Sequence, residues 1–186
     1  MKNLIALFLL ALCTQAFALE LEGVTLGDKA LVGNATLQLN GSGVRTKLFF
    51  KVYVGALYLG EKKRTAAAVL DDAGAKRVAM HMLRSLGSEK LLEAFDKGMA
   101  ANNTPAALSA MDARIREFSA IFRTTTEVEK GDVITLDYVP GEGTRISING
   151  AEKGRVAGTE FNRALLKIWL GDDPVSEDLK KGLLGG

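Results

Sequence analysis

The sequence predicts an α+β fold: an antiparallel sheet with helices gathered on one face. Three observations carry this. Period-two alternation of β-branched and aromatic residues fills the first third and the stretch after residue 130. Apolar residues recur at three- and four-residue steps between these regions and again near the C-terminus. The order is strands, helices, hairpin strands, helix, which separates the two element types instead of alternating them. With 186 residues and 47% hydrophobic residues, the chain is long enough for one domain with a sizeable core.

The first segment is not part of that domain. "MKNLIALFLLALCTQAFA" has a lysine, an apolar run from Leu4 to Leu12, and Ala16-Phe17-Ala18. That is the pattern of a secretory signal peptide. The run is shorter than the ~20 residues of a spanning helix. Cleavage after Ala18 is expected, giving a periplasmic or secreted protein of residues 19–186 with no transmembrane span. Cys13, the sole cysteine, leaves with the leader, so no disulfide or thiol nucleophile is expected. A single histidine, His81, sits between methionines in an extended run and reads as structural or solvent-facing. No metal site and no cofactor are expected. The formal net charge is +2, one unit of it from Lys2. That argues against a nucleic-acid partner, and "KKR" at 62–64 reads as a solvated turn.

Taken in order, "LEGVTLG" and "ATLQLNG" are short strands bounded by glycines. "GVRTKLFFKVYVGALYL", Gly43 to Leu59, reads as strand throughout. As one strand it would exceed ~50 Å, so a bend is expected, with Gly55 the candidate. Its even-numbered face (Val44, Val52, Val54, Ala56, Tyr58) builds the sheet. Its odd-numbered face carries Arg45, Lys47 and Lys51. "TAAAVLDDAG" is a short helix and "AKRVAMHMLRSLG" a strand. Ser88 reads as the N-cap of a helix bearing Leu91, Leu92, Phe95 and Met99 on one face, ended by Asn102-Asn103. Thr104-Pro105 opens a second helix with a stripe of Leu108, Met111, Ile115, Phe118 and Phe122, read as core-facing. Two hairpins follow, turning at Pro140–Gly143 and at Asn149-Gly150. The last long helix begins at Thr159, buries Phe161, Leu165, Ile168 and Trp169, and stops at Gly171; a short capped tail ends the chain.

Composition and periodicity name no activity. Two blocks do: "NGSGVRTKLFFKVYVGALYL" and "GTEFNRALLKIWLGDDPVSEDLKKGLLG" resemble the chalcone isomerase superfamily, in particular its bacterial, signal-peptide-bearing chalcone isomerase-like branch. The resemblance implies an open-faced β-sandwich, a long antiparallel sheet packed by helices with a ligand cleft between them. Plant members cyclise chalcones without metal or redox cofactor, using an arginine and a set of hydroxyl groups. Non-catalytic relatives bind fatty acids with the arginine facing the carboxylate.

Position by position, the resemblance places Arg45 at the family arginine and Tyr53 at the catalytic threonine. Gly87 stands where the enzymes have tyrosine, Ala94 where they have asparagine, and Ile168 where they have serine or threonine. Each lost oxyanion donor can cost about 10²–10³ in rate. A guanidinium in an apolar cleft, by contrast, is costly without an anion to meet it. The expected role is therefore that of a periplasmic, non-catalytic binding protein for a small lipophilic anion such as a fatty acid. Arg45 and Tyr53 are its ligand-binding residues, and no catalytic residue is assigned. Two alternatives stay open: an intramolecular lyase of chalcone isomerase type, and a cell-envelope interaction protein whose cleft is filled by Phe49, Tyr53, Trp169 or the helix stripe.

Overall fold

The computed structural model describes residues 19–186. The expected leader and its cleavage point lie outside the described residues. A seven-stranded antiparallel sheet in the order β11-β10-β9-β6-β5-β4-β3 forms the centre. Its strands are β3 (Lys29–Val32), β4 (Ala35–Lys47), β5 (Phe50–Leu59), β6 (Lys76–Met82), β9 (Val133–Val139), β10 (Gly143–Ile148) and β11 (Ala151–Val156). A ribbon of β1 (Leu19–Leu21) with β2 (Val24–Leu26), and a short pair of β7 (Leu86–Gly87) with β8 (Glu127–Val128), complete the strands. The helices are α1 (Ala66–Leu70), α2 (Ser88–Asn102), α3 (Pro105–Ala110), α4 (Asp112–Arg123), α5 (Thr159–Leu170) and α6 (Glu177–Leu183).

The main core lies between one sheet face and the helices: Leu57, Val78, Met80 and Ile134 from strands meet Phe95, Phe118, Phe161 and Leu165 from helices. The other face carries a smaller cluster of Val54, Ala56, Tyr58 and Ala79 with Leu26 of the ribbon. Further along that face Asp137, nearly fully buried, is clamped by Arg77 at 2.6 Å and Arg145 at 2.9 Å. The α+β architecture with helices on one face is thus as expected, but β5 is buried on both faces. Its odd-numbered residues Tyr53, Leu57 and Leu59 belong to the main core.

The stretch from Gly43 to Leu59 is not one bent strand. It is a hairpin, with Lys47 opposite Phe50 and only Leu48-Phe49 between them. Neither residue is a usual turn former, which is why alternation ran through the turn unseen. Leu48 adopts a φ of 57°, a conformation that normally draws Gly, Asn or Asp. Gly55 does not bend the chain. It pairs with Gly43 across the β4–β5 ladder, and Leu179 of α6 sits on the two. A Cβ at Gly55 would meet Leu179 Cδ1 at 3.0 Å, so the glycine makes room for a helix. The short strand expected to end at Gly41 instead continues as β4 to Lys47, with only a register shift between Leu39 and Gly41. Asn40 Nδ2 there donates to the Lys63 and Leu183 carbonyls, tying the C-terminus down.

Two helix boundaries also differ. The N-cap of α2 is Gly87, one residue before Ser88, and makes no side-chain cap bond. The helix expected through Phe122 is broken at Met111, so α3 and α4 are separate. Thr104, Thr65 and Ser176 cap their helices through side-chain oxygens. Asn149 and Gly150, both at positive φ, turn β10 into β11. The "KKR" turn is not wholly solvated: Lys63 pairs with Asp72 at 3.4 Å, and Arg64 donates to the Gly185 carbonyl.

Candidate functional site

Arg45 and Tyr53 are direct cross-strand partners on β4 and β5. Directly opposed residues share a sheet face, and theirs is the helix-packed one. The Arg45 guanidinium carbon lies 5.7 Å from the centre of the Tyr53 ring, within cation–π range. Tyr53 is 3% exposed. Its hydroxyl accepts a 2.8 Å hydrogen bond from the Trp169 indole nitrogen on α5. Burial pushes the Tyr53 phenol pKa up, opposed by the Arg45 charge and the Trp169 bond, so the hydroxyl keeps its proton at neutral pH.

Arg45 is less settled. Its Nε is buried and has no hydrogen-bond partner. Among the described residues, no carboxylate lies within ion-pair distance of it. A buried, unmet guanidinium nitrogen is the type of group that native structures normally satisfy.

Two spaces adjoin this arginine. The inner one, about 60 Å³, lies under the sheet against Tyr53, Ala94, Phe95, Ile168 and Trp169. Phe95 and Phe118, stacked with centroids 4.4 Å apart, belong to its wall. The outer one, about 370 Å³, runs between the β4–β5 hairpin and α2, past Lys47, Phe50, Lys90, Lys97 and Val175. Arg45, Ala94 and Val175 border both. The inner space has room for only a few waters. An acyl chain would have to open it or lie partly in the outer cleft. Tyr53 and Trp169 narrow the inner space, whereas Phe49 is 93% exposed and fills nothing.

The structure therefore brings Arg45 and Tyr53 together, as opposed residues of neighbouring strands. It also places Ala94 and Ile168 on the inner wall beside them, while Gly87 lies in neither lining and pairs with Glu127. Where the resemblance puts an asparagine and a hydroxyl in the enzymes, this wall is hydrocarbon. The donors it offers a guest are the guanidinium and the phenol. This arrangement can hold an oxyanion; it supplies no evident base. Among the described residues no group of three His, Cys, Asp or Glu gathers as for a metal, and no helix is long and apolar enough to cross a membrane.

Sequence reasoning missed the Tyr53–Trp169 bond. The usable signal was general: a buried indole N–H nearly always finds an acceptor. Phe118 and Phe122 of the helix stripe line the inner cavity, as does Phe95 of the preceding helix. Lys47 and Lys51, which share the odd-numbered face with Arg45, are exposed, and Lys51 pairs with Glu22 at 2.7 Å.

Comparison with known proteins adds the family. Among solved structures, the chain is similar to the crystal structure of a fatty-acid binding protein from Arabidopsis thaliana. The TM-score is 0.65 at 16% identity, covering 87% of this chain and 92% of that one. That likeness establishes the fold. No curated protein matches the sequence. The family described as chalcone isomerase-like matches residues 18–185, nearly the whole chain. The chain therefore belongs to the chalcone isomerase-like family.

Proposed function

We propose that the protein is a periplasmic, non-catalytic binding protein for a lipophilic carboxylate such as a fatty acid. The observation that carries this reading is the buried, unpartnered Nε of Arg45 beside an apolar chamber. A carboxylate meets a guanidinium in a two-pronged, charge-assisted geometry. It would give the buried Arg45 Nε an acceptor. The Tyr53 hydroxyl stands ready as a second, neutral donor, held in place by Trp169. The tail would enter between sheet and helices, where Phe95, Phe118 and Leu165 give it hydrocarbon neighbours. The structurally similar fatty-acid binding protein of Arabidopsis thaliana is in keeping with this chemistry, and the N-terminal leader motif supports export.

The test is a lipid extract of the protein purified from its producing cells, read by mass spectrometry, with thermal unfolding in the presence of added fatty acids. A co-purified acyl carboxylate and a ligand-dependent rise in Tm are expected. If no acyl carboxylate is extracted and none of a chain-length series moves Tm, the reading fails.

A further inference from the structure

The tip of the β4–β5 hairpin breaks the ordinary rules of a soluble surface. Leu48, Phe49 and Phe50 are 81%, 93% and 59% exposed, three consecutive large apolar side chains pointing at solvent. Contiguous exposed apolar groups rimmed by charge mark interaction sites. The turn itself favours the patch over local comfort: Leu48 holds a positive φ where Gly or Asn would cost less.

The surroundings say what the patch meets. Lys47, Arg84, Lys90 and Lys97 line the outer cleft together with Leu48 and Phe50, against the carboxylates of Glu93 and Asp173. Glu93 is already paired with Lys90 at 2.7 Å. Lys47, Arg84 and Lys97 have no ion-pair partner among the described residues. Arg84 lies 5.0 Å from the Phe50 ring centre, cation on aromatic. Aromatic and leucine side chains ringed by basic groups with flexible apolar stems suit the interface of an anionic bilayer. The rings enter the acyl boundary and the cations stay among the headgroups.

We propose that this hairpin tip docks the protein on an anionic lipid bilayer, with the outer cleft opening at the membrane surface. The docking stands without the carboxylate reading. Only its use, the exchange of a lipophilic anion between bilayer and cleft, rests on that reading.

The test uses protein purified after export, every variant sharing one N-terminus, with vesicles of phosphatidylglycerol and phosphatidylcholine or of phosphatidylcholine alone. Wild type should sediment with the anionic vesicles, weakly with the neutral ones, and lose binding as salt is raised. Phe49→Ser with Phe50→Ser should cut anionic-vesicle partitioning at least tenfold. Each of Lys47→Glu and Lys97→Glu should cut it about fivefold or more. Phe49→Trp should show blue-shifted emission with anionic vesicles. All these side chains are exposed, so Tm should stay at the wild-type value, separating lost docking from lost folding. Failure of wild type to bind anionic vesicles, or equal binding by wild type and the double serine variant, overturns the proposal. So does a concentration-dependent dimer that the double variant abolishes, without vesicle binding; that result assigns the patch to self-association. Thermal shifts with free fatty acids read the cleft separately, so loss of one reading leaves the other measurable.

Discussion

Trp169 Nε1 donates to the Tyr53 hydroxyl at 2.8 Å, joining α5 to β5 across 116 residues of sequence. The bond is fully buried, fixes the Tyr53 ring beneath Arg45, and leaves the phenol proton free for a guest. Tyr53→Phe strands the indole N–H in the core and should cost about 1–3 kcal/mol by urea unfolding. Trp169→Phe should cost at least as much, because it also empties space. The double variant should lose less than the two single losses together, since the second change removes a group already orphaned. Strict additivity would mean the bond contributes nothing.

Arg45→Met should separate stability from binding. Methionine fills the stem without an unmet donor, so the ligand-free protein should unfold at the same Tm or higher. Affinity for an acyl carboxylate should fall about ten- to a hundredfold, the ~1.5–3 kcal/mol of a charged hydrogen bond. Arg45→Lys should recover little, because an ammonium lacks the planar fork. A large drop in ligand-free stability with Met would show that Arg45 is structural.

Gly98 of α2, which borders the outer cleft, sits against Ile168 of α5, which borders the inner one. A Cβ there would meet Ile168 Cγ2 at 2.9 Å. Helix propensity alone favours Gly98→Ala by about 1 kcal/mol. Crowding should outweigh it, for a net loss of about 1 kcal/mol or more, and weaker ligand binding as Ile168 is displaced. A stabilised variant with unchanged affinity would show that the two helices pack loosely at this point.

His81 is the sole histidine, on the sheet face opposite the helices, where burial lowers its pKa below the ordinary 6.5. Between the folded pKa and 6.5 the unfolded chain binds more protons than the native one, so stability rises with pH in that window. Unfolding midpoints should therefore fall as pH drops below about 6.5 and level off once the folded histidine itself is protonated. His81→Gln should flatten that part of the profile. An unchanged profile would place the pH dependence on carboxylates.

How far these features were legible in the sequence follows from how local their causes are. The cap at Thr104, the Asn149-Gly150 turn and the stop of α5 at Gly171 depend on a few adjacent residues, and all were read. The Leu48-Phe49 turn was not, because its residues obey strand statistics and only the pairing of β4 with β5 makes them a turn. Gly55 was noticed for the wrong reason: its neighbour is Leu179, more than a hundred positions away. At the site, Arg45 and Tyr53 came from family resemblance. That they oppose one another, and that Trp169 completes the set, depends on register and on helix–sheet packing.

The central claim is that Arg45 receives a carboxylate. It is tested most directly by following the carboxyl carbon of a ¹³C-labelled fatty acid bound to wild type and to Arg45→Met as pH is lowered. Contact with the guanidinium should hold the bound acid ionised at pH values where the free acid is protonated, as an opposite charge does for any carboxyl group. In Arg45→Met the bound signal should vanish or titrate upward of the free acid. A bound fatty acid whose carboxyl titrates identically in both proteins would contradict the account.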